Sequence, residues 1–298
     1  MWTRPATSAE LVLPRRPARR RLARIPIPVA FFIGFLLILV LSAVFADYLA
    51  PADPYRQSLR GRLDAPAWLG GTTGALLGTD QLGRDILSRI LFGSRVSLLV
   101  GFTAVIIGGL LGSLLGLVAG YAGRVADEVI MTIADTQLAF PLVLLAIAVV
   151  AVLGPSLQNL ILVVGISGWV TYARIARAQV LSLKQKEFIE AVRALGGSDL
   201  RILFRHLLPN TLSPLIVVAT LDLARTIVLE STLSFLGLGV QPPTPSWGQM
   251  IGEGREYLII GRWWVSVFPG IVLMLTTMAV NRIGDWVRDV LDPTLRNV

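Results

Sequence analysis

Three ionisable residues, Asp222, Arg225 and Glu230, sit within an otherwise apolar run, where charge is costly and usually faces a bundle interior or a water-filled cavity. Asp222 and Arg225 are three residues apart and therefore neighbours on one helical face. Counting about eleven residues from Thr211 at 1.5 Å per residue places Asp222 near mid-bilayer. Such a pair either lines a translocation path or closes on itself as an internal ion pair. Glu230, nearer the external end, faces the mouth of that path or reaches water. Nucleophilic and metal chemistry have little to work with. The chain has no cysteine and one histidine, His206, and it contains no Gly-x-x-x-x-Gly-Lys-Ser/Thr, His-Glu-x-x-His or Gly-x-Ser-x-Gly string. An intramembrane enzyme would lack its nucleophile and base. No cofactor or metal site is expected in this chain, and nothing in it cradles ATP phosphates, so energy for any driven process must come from elsewhere.

A second polar group lies outside the apolar runs. Glu190-Ala191-Val192-Arg193-Ala194-Leu195-Gly196 is followed after a gap by Leu208-Pro209. Helix signals run from Lys186 to Leu195, Gly196 and Gly197 interrupt them, and Ser198-Asp199 can cap a second short helix that ends before Pro209. The pattern predicts a helix-turn-helix outside the bilayer, a shape on which a soluble partner can push. His206 falls inside it as a packing or partner-contact residue.

The elements that must position these residues are membrane helices. Hydrophobic residues make up 54% of the chain and charged residues 15%, with a mean hydropathy of +0.70, well outside ordinary soluble domains. The net charge of +8 does not point to nucleic acid, because the basic residues cluster beside apolar spans. Six apolar segments are long enough to cross about 30 Å of hydrocarbon: residues 27–46, 97–120, 131–153, 157–178, 211–232 and 264–283. Arg15, Arg16, Arg19, Arg20, Arg21 and Arg24 precede the first and place the N-terminus in the cytoplasm. Six crossings then put the loop 184–209 and the tail 284–298 on the same side. Arg56, Arg60, Arg62, Arg84, Arg89 and Arg95 run against the charge rule, since they fall in the long first external loop. Residues 1–26 carry arginines and prolines without apolar periodicity and read as a disordered basic tail attracted to lipid headgroups. Val44-Phe45-Ala46 also admits a cleaved signal peptide, although the apolar stretch exceeds a signal core and favours a retained helix.

Gly108, Gly112, Gly116 and Gly120 repeat at every fourth position of the second span, on nearly one face. Small residues so placed let another backbone approach, and the alternative is that they line a pore. Ahead of that span, in Leu77-Gly78-Thr79-Asp80-Gln81-Leu82-Gly83-Arg84-Asp85, Gly78 supplies a turn, Thr79 or Asp80 can cap the helix, and Asp85 with Arg89 makes an i, i+4 pair. Trp263 and Trp264 read as membrane-interface anchors.

The polar hairpin resembles the cytoplasmic coupling loop of ABC importer permeases, with Glu190, Ala191, Gly196, Leu208 and Pro209 matching, and Val192 and His206 departing from it. The 77–95 segment, Glu230-Ser231-Thr232-Leu233-Ser234-Phe235-Leu236-Gly237-Leu238-Gly239-Val240-Gln241-Pro242-Pro243 and Gly284-Asp285-Trp286-Val287-Arg288-Asp289-Val290-Leu291-Asp292-Pro293 are similar to the C-type permease subunit of dipeptide, oligopeptide and nickel importers. The resemblance covers roughly residues 75–293. It implies an all-α membrane protein of six transmembrane helices with the type I importer fold, the first helix and an external loop over 27–93 and the importer domain over 94–283, in a prokaryotic inner membrane with both termini cytoplasmic. It implies a second homologous permease, two cytoplasmic ATPase subunits carrying ATP and magnesium, and an external substrate-binding protein that docks on the loop from Ser234 to Arg262. Glu190, Ala191, Gly196, Ser198, His206 and Pro209 become coupling-loop residues. The implied cargo is a di- or oligopeptide, or alternatively nickel or another small solute. A stand-alone channel or secondary transporter is the reading of a different class, against which the hairpin argues.

Overall fold

A computed structural model describes residues 25–291, so the basic tail up to residue 24 and the C-terminal tail from residue 292 lie outside the described residues. In chain order the helices are α1 (Ile27–Val44), α2 (Ile86–Ala122), α3 (Arg124–Ala139), α4 (Leu142–Leu153), α5 (Leu157–Leu183), α6 (Glu187–Ala194), α7 (Leu208–Phe235), α8 (Trp247–Gly254) and α9 (Trp264–Leu291), with single turns between some of them. Among the described residues the only β pairing is an isolated bridge between Thr79 and Asp85. α1, α2, α5, α9 and the continuous helical run Asp199–Phe235 are each long and apolar enough to cross a membrane. The sixth crossing is not the straight helix expected over 131–153. In its place stands the pair α3 and α4, bent by 88°, which makes a sixth crossing when the two are taken as one broken span. Phe140 is extended, with φ −97° and ψ 127°, because the ring of Pro141 disfavours helical backbone in the residue before it.

α2 is 37 residues long and begins at Ile86, inside the stretch that composition assigns to the external loop. Its N-cap is neither Thr79 nor Asp80. Asp85 fills that position and accepts from the Ser88 N–H at 2.7 Å. Further along, the glycine stripe meets the backbone of α5. A Cβ on Gly112 would stand 2.1 Å from the Trp169 carbonyl oxygen, and one on Gly116 2.3 Å from that of Ala173. Gly108 would meet the Gly165 carbonyl at 2.8 Å and Gly120 the Val180 side chain at 2.8 Å. The stripe is therefore a helix-packing seam, the arrangement that brings dispersion contacts closest where lipid removes the hydrophobic incentive.

The segment from 45 to 85, with α8, caps one end of the bundle. Its centre is a buried charge network rather than the Asp85–Arg89 pair expected from spacing. Asp80, fully buried, accepts from the Arg84 Nε at 2.6 Å and from Arg89. Glu253 of α8 accepts from Arg84 and Arg89 at 3.0 Å each, and from Gln81 and Gln249 at 2.9 Å each. Nearby, the Trp247 indole donates to the Ile90 carbonyl at 3.3 Å and that of Trp264 to the Thr79 carbonyl at 3.2 Å. Trp264, 3% exposed, is thus a core residue rather than an interface anchor, and Trp263 packs at a tilt against both Trp68 and Phe268. In the same loop, burial pushes the Asp64 carboxyl up, but hydrogen bonds from Thr73 and Thr72 outweigh it and hold the group below the usual carboxylate range.

Two outcomes test this architecture. Gly112→Val should cost roughly 1–3 kcal/mol or more through forced separation of α2 and α5, read as a lower Tm and loss of a monodisperse peak in detergent. Glu253→Gln leaves two buried guanidiniums to one carboxylate and should cost about 3–5 kcal/mol, read as a Tm drop with faster proteolysis of the 45–85 segment.

Candidate functional site

The polar hairpin is built where α5 ends and the run into α7 begins. α6 carries Glu187 and Glu190 in its first turn and Arg193 in its last, complementing the helix dipole at both ends. It stops at Gly196, whose φ of +78° is open to glycine at little cost. There the Gly196 N–H donates to the Arg193 carbonyl at 3.0 Å and the Gly197 N–H to that of Val192 at 2.9 Å, the paired bonds that close a helix C-terminus. Ser198 occupies the next N-cap position but makes no side-chain cap bond, and Asp199 instead accepts from the Tyr121 hydroxyl at the end of α2.

The second helix does not end before Pro209. It passes from Asp199–Arg201 through a π-helical stretch, Ile202–Leu207, and continues as α7. The Leu208 N–H reaches back to the Leu203 carbonyl, one residue further than an α-helix allows. Wider winding just ahead of Pro209 relieves the clash its ring would make in a regular helix.

The hairpin has two unlike faces. Ile189, Ile202 and Leu207 are fully buried against Val180, Ala176, Tyr172 and Leu117. The opposite face presents Phe188, Leu195, Leu200 and Phe204 to solvent, Leu195 at 88% exposure, among exposed Glu190, Ala191, Arg193, Arg201 and Arg205. Lys184 ties the base to α2 by donating to the Gly120 carbonyl at 2.9 Å. Arg177 of α5 grips Asp127 of α3 close by. His206 is half-buried and its carbonyl accepts from the Asn210 side chain, while Pro209 is exposed. This is a rigid ridge with apolar knobs and mixed charge, suited to protein contact.

The membrane residues lie apart from it. Asp222 is half-buried and accepts from the Tyr172 hydroxyl of α5 at 3.1 Å. Arg225, a turn further on, is exposed on the α7 face that also carries Val228 and Thr232. Among the described residues the two form no ion pair within 4 Å, so the self-satisfied pair is not what forms. Glu230 neither reaches water nor faces an opening. It is fully buried, with Ser97 of α2 donating at 3.1 Å, Ser231 at 3.2 Å and Ser234 at 2.8 Å. α8 begins beside it, where Gly248 is close enough that a Cβ would stand 2.2 Å from the Ser231 carbonyl. Sequence reasoning missed Tyr172, Tyr121 and the Asp127–Arg177 pair, whose partners lie 50 to 78 residues away with no local signal joining them.

Residues 112–297 match the profile of the family described as "Binding-protein-dependent transport system inner membrane component". The chain belongs to that family. It is a multi-pass inner-membrane permease subunit of an ABC importer. A di/tripeptide transport system permease protein of Pseudomonas aeruginosa is 46% identical over 264 residues, covering 88% of this chain and 87% of the relative. A glutathione transport system permease protein of Pectobacterium atrosepticum is 41% identical over 304 residues, covering 99% of each. Among solved structures, the MetNI methionine ABC transporter in an inward-facing conformation aligns with a TM-score of 0.55 at 21% identity, over 70% of this chain and 96% of that one. That likeness establishes the type I importer fold. In this permease Tyr121→Phe should raise hydrogen exchange across residues 187–207 by removing the Asp199 tether, with exchange in the α2–α5 seam unchanged.

Proposed function

We propose that this permease is one of two that form the translocation path of an ATP-driven peptide importer, and that its hairpin is the surface on which a cytoplasmic ATPase docks. The observation that carries the reading is the hairpin's division into a face locked to α2, α5 and α7 and a face of exposed apolar and charged residues. A lever needs both. The relatives named for peptides and glutathione support the cargo class. The partners are a second homologous permease, two ATPase subunits holding ATP and magnesium, and an external binding protein that delivers substrate. Both termini and the hairpin are cytoplasmic, and the cap formed by 45–85 and α8 is external, with the exposed part of the Ser234–Arg262 loop facing the binding protein.

ATP-driven closure of the ATPases draws the hairpin inward. Because Asp199–Phe235 is one helical run, the movement passes along α7 to the level of Asp222 without an intervening loop. An arginine at that depth cannot economically face lipid, so the α7 face bearing Arg225, Val228 and Thr232 turns toward the second permease and the cavity between them. Asp222 and Arg225 line the path there. Within the hairpin, Glu190 and Ala191 supply contact surface, Gly196 and Ser198 the turn, and His206 and Pro209 the junction with α7.

The test is purification in mild detergent followed by ATPase and uptake assays with binding protein and dipeptide. Co-purification of two ATPases and a second permease, with peptide-stimulated hydrolysis, is the expected result. Uptake of nickel but not peptide would reassign the cargo, and transport by the isolated chain would make it a channel or secondary carrier. Gly196→Pro and Glu190→Lys should each lower stimulated ATPase about tenfold, the consequence of losing on the order of 1.4 kcal/mol of docking energy, with membrane insertion retained. Full transport by both variants would sink the lever.

A further inference from the structure

We propose that Asp222 and Arg225 form a transit site for the two charged ends of a short peptide, the carboxylate receiving the α-ammonium and the guanidinium the α-carboxylate. This rests on the peptide-import reading above and adds to it a recognition chemistry within the membrane.

The first support is that the two charges are not spent on each other. Asp222 uses one oxygen, Oδ2, for the Tyr172 hydroxyl at 3.1 Å, and among the described residues Oδ1 takes no hydrogen bond. Tyr172 is 1% exposed and its ring lies against α2 at Gly109, so it holds the carboxylate in place. Arg225 is three residues further along α7, a neighbouring position on the helix surface, and is exposed.

The second support is room. Gly168 of α5 faces Asp222, and a Cβ built on it would find Oδ2 at 3.6 Å and nothing else within 4 Å beyond its own stretch of helix. On its other side Gly168 lies against Gly108 of α2, which is itself in contact with Gly165. Three glycines at one level thin the bundle beside the carboxylate. Gly108 is near the middle of the apolar stretch 97–120, which puts the open space deep in the membrane rather than at either surface.

The third support is chemical fit. Peptides that differ in every side chain still share a free ammonium and a free carboxylate. A carboxylate and a guanidinium one helical turn apart, with Cβ atoms about 5–6 Å from each other, match ends separated by two residues at about 3.3–3.6 Å each. A net-neutral site receives net-neutral ends, so neither partner leaves an unpaired charge in low dielectric. Two charge-assisted contacts are enough to orient the cargo, and their being solvent-accessible lets it leave.

The experiment uses the complete importer in proteoliposomes with its binding protein. Uptake per ATP hydrolysed is measured for dialanine, its C-terminal amide and its N-acetyl form, each at a concentration saturating the binding protein. Arg225→Gln should reduce uptake of dialanine about tenfold, one charge-assisted contact, while its ratio of amide to free-acid uptake rises by the same factor. Asp222→Asn should do the same for the N-acetyl form. Gly168→Leu fills the space without altering charge and should lower dialanine uptake per ATP. Equal losses for all three substrates would mark the pair as structural and overturn the proposal, as would unaltered dialanine uptake in Gly168→Leu. If the unsubstituted importer moves none of the three, the peptide reading itself has failed, which is distinguishable because the variants then have nothing to discriminate.

Discussion

The fold depends on how closely α2 and α5 can approach. Inside lipid, association gains nothing from burying apolar surface, so the attraction must come from contact at short range. Gly112 and Gly116 stand where a Cβ would collide with carbonyl oxygens of α5. Everything else is referred to that seam. The end of α2 carries Tyr121 and the Gly120 carbonyl, which hold the hairpin, and the start of α2 carries Arg84, Arg89 and Ser97 within or just ahead of it, which hold the external cap and Glu230. One helix thus spans the distance between the hairpin and the cap at the opposite end of the bundle.

The two ends are fixed by different physics. The hairpin is anchored by apolar burial with a few polar tethers, a joint that withstands being pushed without breaking directional bonds. The cap is anchored by Asp80, Arg84, Arg89 and Glu253, where geometry is exact in its demands because each guanidinium is at most 3% exposed. Glu230, solvated by three serine hydroxyls, supports the α7–α8 corner in place of water. The bent α3–α4 pair buries only Ala134 and Ala146, and α3 is tied to α5 by the Arg177–Asp127 and Arg174–Asp135 pairs.

Much of this was legible in one dimension because membrane helices announce themselves by length and hydropathy, and the glycine stripe by its period. The hairpin's turn was legible for the same reason, since Gly196 and Gly197 have few other uses beside a polar helix. What stayed hidden were consequences of three-dimensional meeting. Asp85 and Arg89 have ideal spacing for a pair, yet Arg89 turns to Asp80 and to Glu253, 164 residues away. Arg84, Arg89 and Arg95 ran against the charge rule because they are structural: two lie in the buried network, and Arg95 holds the end of α1 by donating to the Val44 carbonyl at 2.8 Å and to Asp47 at 2.7 Å. The break at Phe140 was written in Pro141, but hydropathy averaged across it.

The continuity of Asp199–Phe235 imposes a constraint on sequence length. Each residue of an α-helix advances the direction of a side chain by about 100°. Inserting or deleting one residue between Pro209 and Asp222 would leave composition and hydropathy nearly unchanged, yet would turn the hairpin by about 100° relative to Asp222 and its Tyr172 contact. The distance in residues between hairpin and membrane charges is therefore as much a part of the machine as the residues themselves.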